Sequence, residues 1–144
     1  MKPFTLIAAL AGVALLALVV PHRGAAEDAT AFGVDYGREE FRISCSACHG
    51  VSAKGDGPVA ELLKVKPADL TRIASRNGGV FPVVAVATLV HGRDTGRAHG
   101  NDMPIWGNRY LAESTENFGP FLGEMVVRAR ILSLVFYLET IQER

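Results

Sequence analysis

The chain has 144 residues with 15 basic and 15 acidic side chains, so its formal net charge at pH 7 is zero. Lys2 and Arg23 belong to the first 26 residues, which contain no acid, so the remainder carries 13 of the basic and all 15 of the acidic side chains. No basic stripe remains to neutralise phosphates, which argues against nucleic-acid binding, and the length fits a single domain.

The first 26 residues have the pattern of an export signal. Lys2 supplies a positive charge, the segment from Phe4 to Val20 is mainly apolar, and small residues just before Glu27 predict cleavage there. Those 17 residues are also close to the lower length limit for spanning a bilayer, so an uncleaved membrane anchor is the alternative. The sequence therefore predicts a leader at 1–26 and one domain at 27–144.

The first helix of the domain is predicted from about Asp35, after a small and polar segment at 27–33 that we expect to be frayed. Phe41 and Ile43 stand among charged residues in the pattern of an amphipathic helix. Gly37 lowers the stability of such a helix. Either another helix approaches closely at this glycine, or the helix only begins there.

The sequence Cys45-Ser46-Ala47-Cys48-His49 follows this helix and contains the only two cysteines of the chain. It is the attachment pattern of covalent haem c, in which each thiol adds to one vinyl group of the porphyrin and the histidine ligates the iron. A two-residue spacer on a helical turn lets both sulfurs reach one edge of the ring. We therefore expect one haem c, bound through Cys45, Cys48 and His49.

Three other interpretations of the cysteine pair remain open. A redox-active disulfide normally follows a strand in a βαβ unit, which the surrounding pattern does not show. A zinc site needs a second pair of ligands, and the sequence has no further cysteine. A structural disulfide suits an exported protein but leaves His49 unexplained.

A loop is predicted at 50–58, because three glycines and a proline fall within nine residues. A loop beside an axial histidine can offer it a backbone carbonyl, which orients the ring and raises its basicity. Pro58 is the candidate for this carbonyl, because its φ is fixed and its nitrogen cannot donate. We therefore expect Pro58 to belong to the cofactor site.

Short helical segments are predicted after this loop, at 59–64 and 72–75. A longer helix is predicted at Val83–His91, with Gly92 as its stop. This helix is apolar on nearly all sides, so we expect it to be buried.

The loop that ends in Met103 and Pro104 offers a second axial ligand, because a methionine thioether on haem iron favours the ferrous state. Met125 lies in an apparent helix, whereas Met103 lies in a loop with a rigid residue behind it. His91 and His99 are the rival ligands, and solvated loop histidines are the simpler interpretation of both.

Trp106 follows this methionine and is the only tryptophan. Its indole can cover the haem edge and donate its N–H to a propionate, or it can serve as a core aromatic without that bond. Arg109 and Tyr110 are weaker candidates for further propionate partners.

The last helix is predicted at Gly123–Arg144, with Gly37 allowing it to cross the first helix closely. Arg128, Arg130 and Glu139 are expected to point toward water. Its apolar stripe recurs at alternating steps of four and three residues, through Val127, Ile131, Leu134, Leu138 and Ile141.

With these residues identified, the chain resembles the class I c-type cytochromes. The resemblance rests on the motif at 45–50, the Gly-Pro pair at 57–58, Met103-Pro104 and the aromatic last helix. It implies an all-α cytochrome c fold, in which the first and last helices cross over a covalently bound haem. It also implies that Gly37 and Phe41 pack against Leu134 and Tyr137, that Pro58 supplies the carbonyl and that Met103 ligates the iron.

The resemblance further implies outer-sphere electron transfer in the periplasm, without a catalytic acid or base, because thioether attachment takes place outside the bacterial cytoplasm. The expected partners are redox proteins of a periplasmic respiratory or oxidative chain. Lys54, Lys64 and Lys66 form either a modest docking patch or scattered solvated lysines. The alternatives are a fixed haem subunit of a periplasmic dehydrogenase or reductase, and a gas-binding or peroxidatic protein with a labile sixth ligand.

Overall fold

The computed structural model describes residues 23–93 and 103–143. Within those ranges the chain forms helices and no strand, which confirms the all-α class. None of the helices in these ranges is both long and apolar enough to cross a membrane. The helices are α1 (Arg23–Ser44), α2 (Ser46–His49), α3 (Ile73–Arg76), α4 (Val83–His91) and α5 (Trp106–Thr140), with 3₁₀ turns at Ala60–Leu62 and Leu70–Arg72.

Helix α1 begins earlier than the sequence pattern predicted. It starts at Arg23 rather than near Asp35, so the segment 27–33 is helical instead of frayed. Four of the nine residues at 23–31 are alanine, which has the highest helix propensity and favours an early helix start. The expected cleavage point before Glu27 lies within this helix, and the rest of the expected leader, residues 1–22, lies outside the described residues.

Helix α4 has the predicted bounds, and Gly92 ends it in the left-handed conformation with φ of 72°. The expectation that it is buried on nearly all sides is wrong. Val86 and Val90 are buried, whereas Val84 is 79% exposed. The helix packs on α5 along one face only, because no further element covers its outer side among the described residues.

Helix α5 begins at Trp106, well before the predicted start at Gly123. Gly119 interrupts it with φ of 72° and ψ of 170°, and Pro120 follows, so two helical segments meet at a kink. Glycine and proline at this point hid the first segment from a search for uninterrupted periodicity.

The crossing of α1 over α5 forms the centre of the fold. A β-carbon added to Gly37 would overlap the backbone carbonyl of Ser133, so the two backbones are in direct contact there. The rings of Phe41 and Tyr137 lie 5.5 Å apart. This confirms that Gly37 serves a close helix approach. The buried side chains around the crossing include Phe41, Val127, Ile131, Leu134 and Leu138.

A buried polar network also joins the two helices. Glu40, which is 5% exposed, accepts hydrogen bonds from Ser44 Oγ at 2.6 Å, Tyr110 OH at 2.7 Å and Arg130 Nε at 3.1 Å. Arg130 also pairs with Glu113 at 2.8 Å. The expectation that Arg130 points toward water is therefore wrong, because the carboxylate of Glu40 draws its guanidinium into the interface. Buried charges need such partners to offset the cost of leaving water.

Candidate haem site

One cavity of about 230 Å³ brings together five of the residues that the sequence singled out, Cys45, Cys48, His49, Met103 and Trp106. Cys48 and His49 belong to α2, and Cys45 immediately precedes it. Met103 lies just before α5, and Trp106 is the first residue of α5. The rest of the wall is mainly apolar and consists of Ser44, Leu63, Val65, Lys66, Pro67, Ala68 and Pro104. Pro58, the sixth predicted residue, does not line this cavity.

A single helical turn places the motif side chains. The amide of His49 donates to the carbonyl of Cys45 at 2.9 Å, and the amide of Cys48 donates to the same oxygen at 3.2 Å. This turn presents both thiols and the imidazole to one cavity. Both cysteines are described, and no disulfide joins them.

The loop after the motif folds back and holds this turn in place. The amide of Gly57 donates to the carbonyl of Cys48 at 3.1 Å, and the amide of Val59 donates to Ala47 at 3.0 Å. A β-carbon on Gly57 would collide with the backbone of Ala47 and Cys48, so only glycine permits this approach. The glycines of the loop thus fix the orientation of the cysteine pair.

His49 Nδ1 lies 3.0 Å from the carbonyl oxygen of Ala68. Because a carbonyl can only accept, Nδ1 carries the hydrogen, and the neutral ring then has its lone pair on Nε2. Burial lowers the pKa of His49, and the bond to Ala68 opposes that shift. A neutral imidazole of this tautomer is the form that ligates iron.

The assignment of that carbonyl to Pro58 is therefore wrong. Pro58 is exposed, in the turn that folds back on Ala47 and Cys48. The chain continues past it and returns beside His49 at Pro67 and Ala68. The sequence could not show which of the two loop segments passes beside the ring.

The thiol of Cys45 is protonated at neutral pH. Burial, the nearby carboxylate of Glu40 and the neighbouring Cys48 raise the pKa of Cys45 to about 12. Redox-active cysteine pairs have lowered pKa values, because the thiolate is the nucleophile. The environment of Cys45 therefore does not favour the redox-disulfide interpretation.

Met103 is partly buried and packs against the core. The rival ligand His91 lies outside the cavity wall, and Arg93 donates to its Nε2 at 3.1 Å and 2.7 Å. His99 lies outside the described residues. Among the described candidates, Met103 is the one that shares a cavity with His49.

Trp106 is 6% exposed and lies in the wall of the cavity, at the first residue of α5. Its ring packs 5.3 Å from that of Tyr110, and the guanidinium of Arg109 lies 5.4 Å from the indole. Tyr110 donates its hydroxyl to Glu40, so its suggested role toward a propionate does not match its position. Arg109 stays a candidate for that role.

The donor set fits haem c. Two thiols with a two-residue spacing, a neutral imidazole and a thioether share a mostly apolar cavity, which is the chemistry that covalent haem attachment and axial ligation require. Among the described residues, no group of three or more His, Cys, Asp or Glu side chains could hold a metal ion by itself.

The wall residues Leu63, Val65 and Ala68 were missed by the sequence analysis. Leu63 ends the short segment predicted as helical, and Val65 and Ala68 follow it without regular periodicity, so no local signal marks any of the three as part of a site. Comparisons of the chain with protein-family models, curated proteins and solved structures gave no match.

Proposed function

We propose that this protein is an exported single-haem electron carrier with the class I cytochrome c fold. The observation that carries the proposal is the shared cavity of Cys45, Cys48, His49 and Met103. The motif alone predicts where haem attaches, whereas the position of Met103 supports a second ligand from a distant part of the chain.

Each residue has a distinct role in this proposal. Cys45 and Cys48 form the two thioether bonds, and His49 and Met103 are the axial ligands. Ala68 holds the proton on His49 Nδ1 and so keeps the imidazole oriented toward the cavity. Bound haem would supply a ferric/ferrous couple whose potential is raised by sulfur ligation and a low dielectric.

The wall of the cavity favours electron transfer over catalysis. None of the described residues that line it is a carboxylate, and the polar side chains there beyond the expected ligands are Ser44, Lys66 and the indole N–H of Trp106. Peroxidatic chemistry needs a positioned acid or base. The mainly apolar wall instead lowers the dielectric around the site, which suits an iron whose two ligands stay in place through a redox cycle.

The proposed partners are redox proteins of a periplasmic respiratory or oxidative chain. Lys66 lies in the cavity wall and Lys64 is exposed two residues earlier. Lys54 pairs with Glu143 at 2.6 Å, so it contributes less positive charge to an encounter. Any docking patch for an acidic partner is therefore centred on Lys64 and Lys66.

A second candidate is a haem subunit held in a periplasmic dehydrogenase or reductase. Large apolar side chains on the outer face of α5, among them Phe121 and Met125, are more than half exposed. Exposed apolar surface of this kind is typical of stable interfaces.

Spectroscopy of the exported protein tests the proposal. We expect covalent haem that survives acid extraction, a ferric sulfur charge-transfer band and no carbon monoxide binding. Met103→Leu should abolish the band and lower the reduction potential, because leucine keeps the volume but cannot ligate. Met125→Leu is the matched control and should leave the spectrum unchanged. Colourless protein would refute haem attachment, and carbon monoxide binding by the parent protein would favour a labile sixth ligand.

A further inference from the structure

Glu40 is buried where the crossing of α1 over α5 meets the candidate haem site. Its side chain is 5% exposed, and it forms a salt bridge of 3.1 Å with Arg130. A buried ion pair is often no more stabilising than well-packed apolar side chains of similar volume. Apolar side chains such as Val127 and Leu134 fill the core around this interface. The packing of the two helices alone therefore does not explain why a carboxylate occupies position 40.

The hydrogen bonds of Glu40 indicate that its carboxyl group is ionised. Arg130 contacts both of its oxygens, Oε2 through Nε at 3.1 Å and Oε1 through Nη2 at 3.3 Å. Ser44 Oγ donates to Oε1 at 2.6 Å, and Tyr110 OH donates to the same oxygen at 2.7 Å. A guanidinium can only donate, and an ionised carboxylate can only accept, so these donors suit the charged form. The structure thus holds a negative charge at a buried position.

Two of these hydrogen bonds lead from Glu40 to the wall of the cavity. Ser44 lines the cavity and donates directly to the carboxylate. Tyr110 packs its ring 5.3 Å from that of Trp106, which also lines the cavity. One side chain on the first path and two on the second therefore separate the carboxylate from the cavity.

The positive partner of Glu40 lies closer to the solvent. The side chain of Arg130 is 19% exposed, and it also pairs at 2.8 Å with Glu113, which is 55% exposed. Two carboxylates and one guanidinium leave this cluster with a net negative charge. Burial and then the carboxylate of Glu40 raise the pKa of Cys45. The field of that carboxylate therefore reaches the position at which haem would attach.

We propose that the buried carboxylate of Glu40 sets the redox equilibrium of the haem by stabilising its ferric state. This proposal rests on the proposed electron-carrier function and adds a residue outside the attachment motif and the axial ligands. Ferric haem carries one more positive charge than ferrous haem, so a fixed negative charge in a medium of low dielectric favours it. Sulfur ligation by Met103 favours the ferrous state. Glu40 opposes that effect and lowers the affinity of the carrier for an electron.

Glu40→Gln tests this proposal in the haem-loaded protein. Glutamine keeps the volume and can still accept from Tyr110, and Arg130 keeps Glu113 as a partner. At a fixed solution potential, the ratio of ferrous to ferric protein should rise on the order of tenfold. This is the effect of a unit charge that acts over roughly 10 Å at an effective dielectric constant of about 20. Spectroelectrochemical titration measures the ratio.

Glu39→Gln is the matched control, because it removes the same charge one residue earlier. Glu39 pairs with Arg42, and both side chains are more than half exposed. Water and salt screen such a charge, so the ferrous-to-ferric ratio should change by less than about twofold. Shifts of equal size in the two variants would contradict the proposal, because the net charge of the chain would then set the equilibrium.

Tyr110→Phe should shift the equilibrium in the opposite direction. This variant keeps the ring beside Trp106 but removes a hydroxyl donor whose dipole offsets part of the charge on Glu40. The ferrous-to-ferric ratio should therefore fall by about two- to threefold. A loosened fold would admit water to the haem in either variant and shift both ratios the same way. Shifts of the same sign in Glu40→Gln and Tyr110→Phe would overturn the proposal.

Unfolding in each oxidation state provides a second readout. Because the charge at position 40 acts on the haem only in the folded protein, its loss should weaken the ferric fold about tenfold more than the ferrous fold. Denaturant unfolding of both states of Glu40→Gln measures this difference. Equal destabilisation of the two states would leave Glu40 a purely structural role, with the electron-carrier function intact. Protein without covalent haem would instead refute that function and this proposal together.

Discussion

The crossing of α1 over α5 and the cavity beside the Cys-X-X-Cys-His motif differ in how they are completed. At the crossing, Gly37 meets the backbone of Ser133, and Glu40 finds hydrogen-bond donors within the protein itself. At the cavity, apolar groups and two thiols face an open volume, and Val65 in its wall is 60% exposed. Side chains that line a space lack packing partners on one side. The crossing is therefore stable through its own contacts, whereas the cavity would gain stability from a bound group such as the proposed haem.

The largest expected effect comes from breaking the crossing at Glu40. Glu40→Ala leaves Arg130, Tyr110 and Ser44 without the acceptor they share, and removing one partner of a buried ion pair costs about 3–5 kcal/mol. Denaturant unfolding measures this loss in free energy, which should appear with and without haem. Glu39→Ala is the control, since Glu39 pairs with Arg42 on the solvent side. Equal stability of the two variants would contradict the role of the network.

The next effect comes from widening the crossing. Gly37→Ala forces α1 away from Ser133 and should lower the free energy of unfolding by about 1–3 kcal/mol. Gly33→Ala is a matched change in the same helix, where nothing lies within 4 Å of the added carbon. It should raise stability by up to about 1 kcal/mol, because alanine favours a helix over glycine. Thermal melts compare the two variants, and a similar gain in stability in both would show that helix propensity outweighs the close contact at Gly37.

A smaller effect should come from the contact that joins the two regions. Gln142 donates to the carbonyls of Leu70 at 2.8 Å and Leu138 at 2.7 Å, and its Oε1 accepts from the amide of Ala74 at 2.8 Å. Gln142→Ala should cost about 0.5–1.5 kcal/mol, because the groups that lose their partner are only partly buried and water can replace it in part. We further expect the substitution to accelerate amide hydrogen exchange more at Ala74 than near Phe41. Uniform acceleration across the domain would mean that the regions unfold together.

The smallest effect should be a pH dependence confined to the loop beside the cavity. Hydrogen bonds from Thr71 are the main cause that lowers the pKa of Asp69 below its ordinary value of 3.8. Because the pKa of Asp69 is lower in the folded than in the unfolded protein, its ionised carboxylate stabilises the fold at pH values above the unfolded pKa. This contribution is lost as the pH falls below about 4 and through the folded pKa. Asp69→Asn should flatten that part of the acid unfolding curve. An unchanged acid limb would show that Asp69 contributes nothing.

Local patterns were sufficient where neighbouring residues decide the structure. The bounds of Val83–His91 and the stop at Gly92 were predictable, because propensity, glycine geometry and periodicity act over a few residues. The close approach at Gly37 was one of two alternatives that the residues left open, and the contact with Ser133 decided between them. The start of α5 was not, because Gly119 and Pro120 interrupt the pattern while tertiary packing keeps both segments helical. Trp106 and Tyr110 of the first segment are both buried.

The candidate site likewise has a part that neighbouring residues decide and a part that tertiary packing decides. The sequence predicted the roles of Cys45, Cys48 and His49, because the attachment chemistry requires these residues close together in one turn. The carbonyl of Ala68 was not identified, since it approaches His49 across 19 positions of sequence. The exposure of Leu122, Met125 and Phe136 on α5 was also not predicted, because periodicity shows that residues share a face but not which face is buried.

The sequence by itself determined the all-α class, the position of the Cys-X-X-Cys-His motif and the helix spacing of the last segment, since each depends on residues within a few turns of one another. Only the tertiary structure decided that Ala68 rather than Pro58 meets His49, that Arg130 turns inward to Glu40, and which apolar side chains of α5 are exposed within the described part of the chain. These outcomes depend on which distant surfaces meet, and burial and charge pairing between such surfaces have no signature in a local pattern.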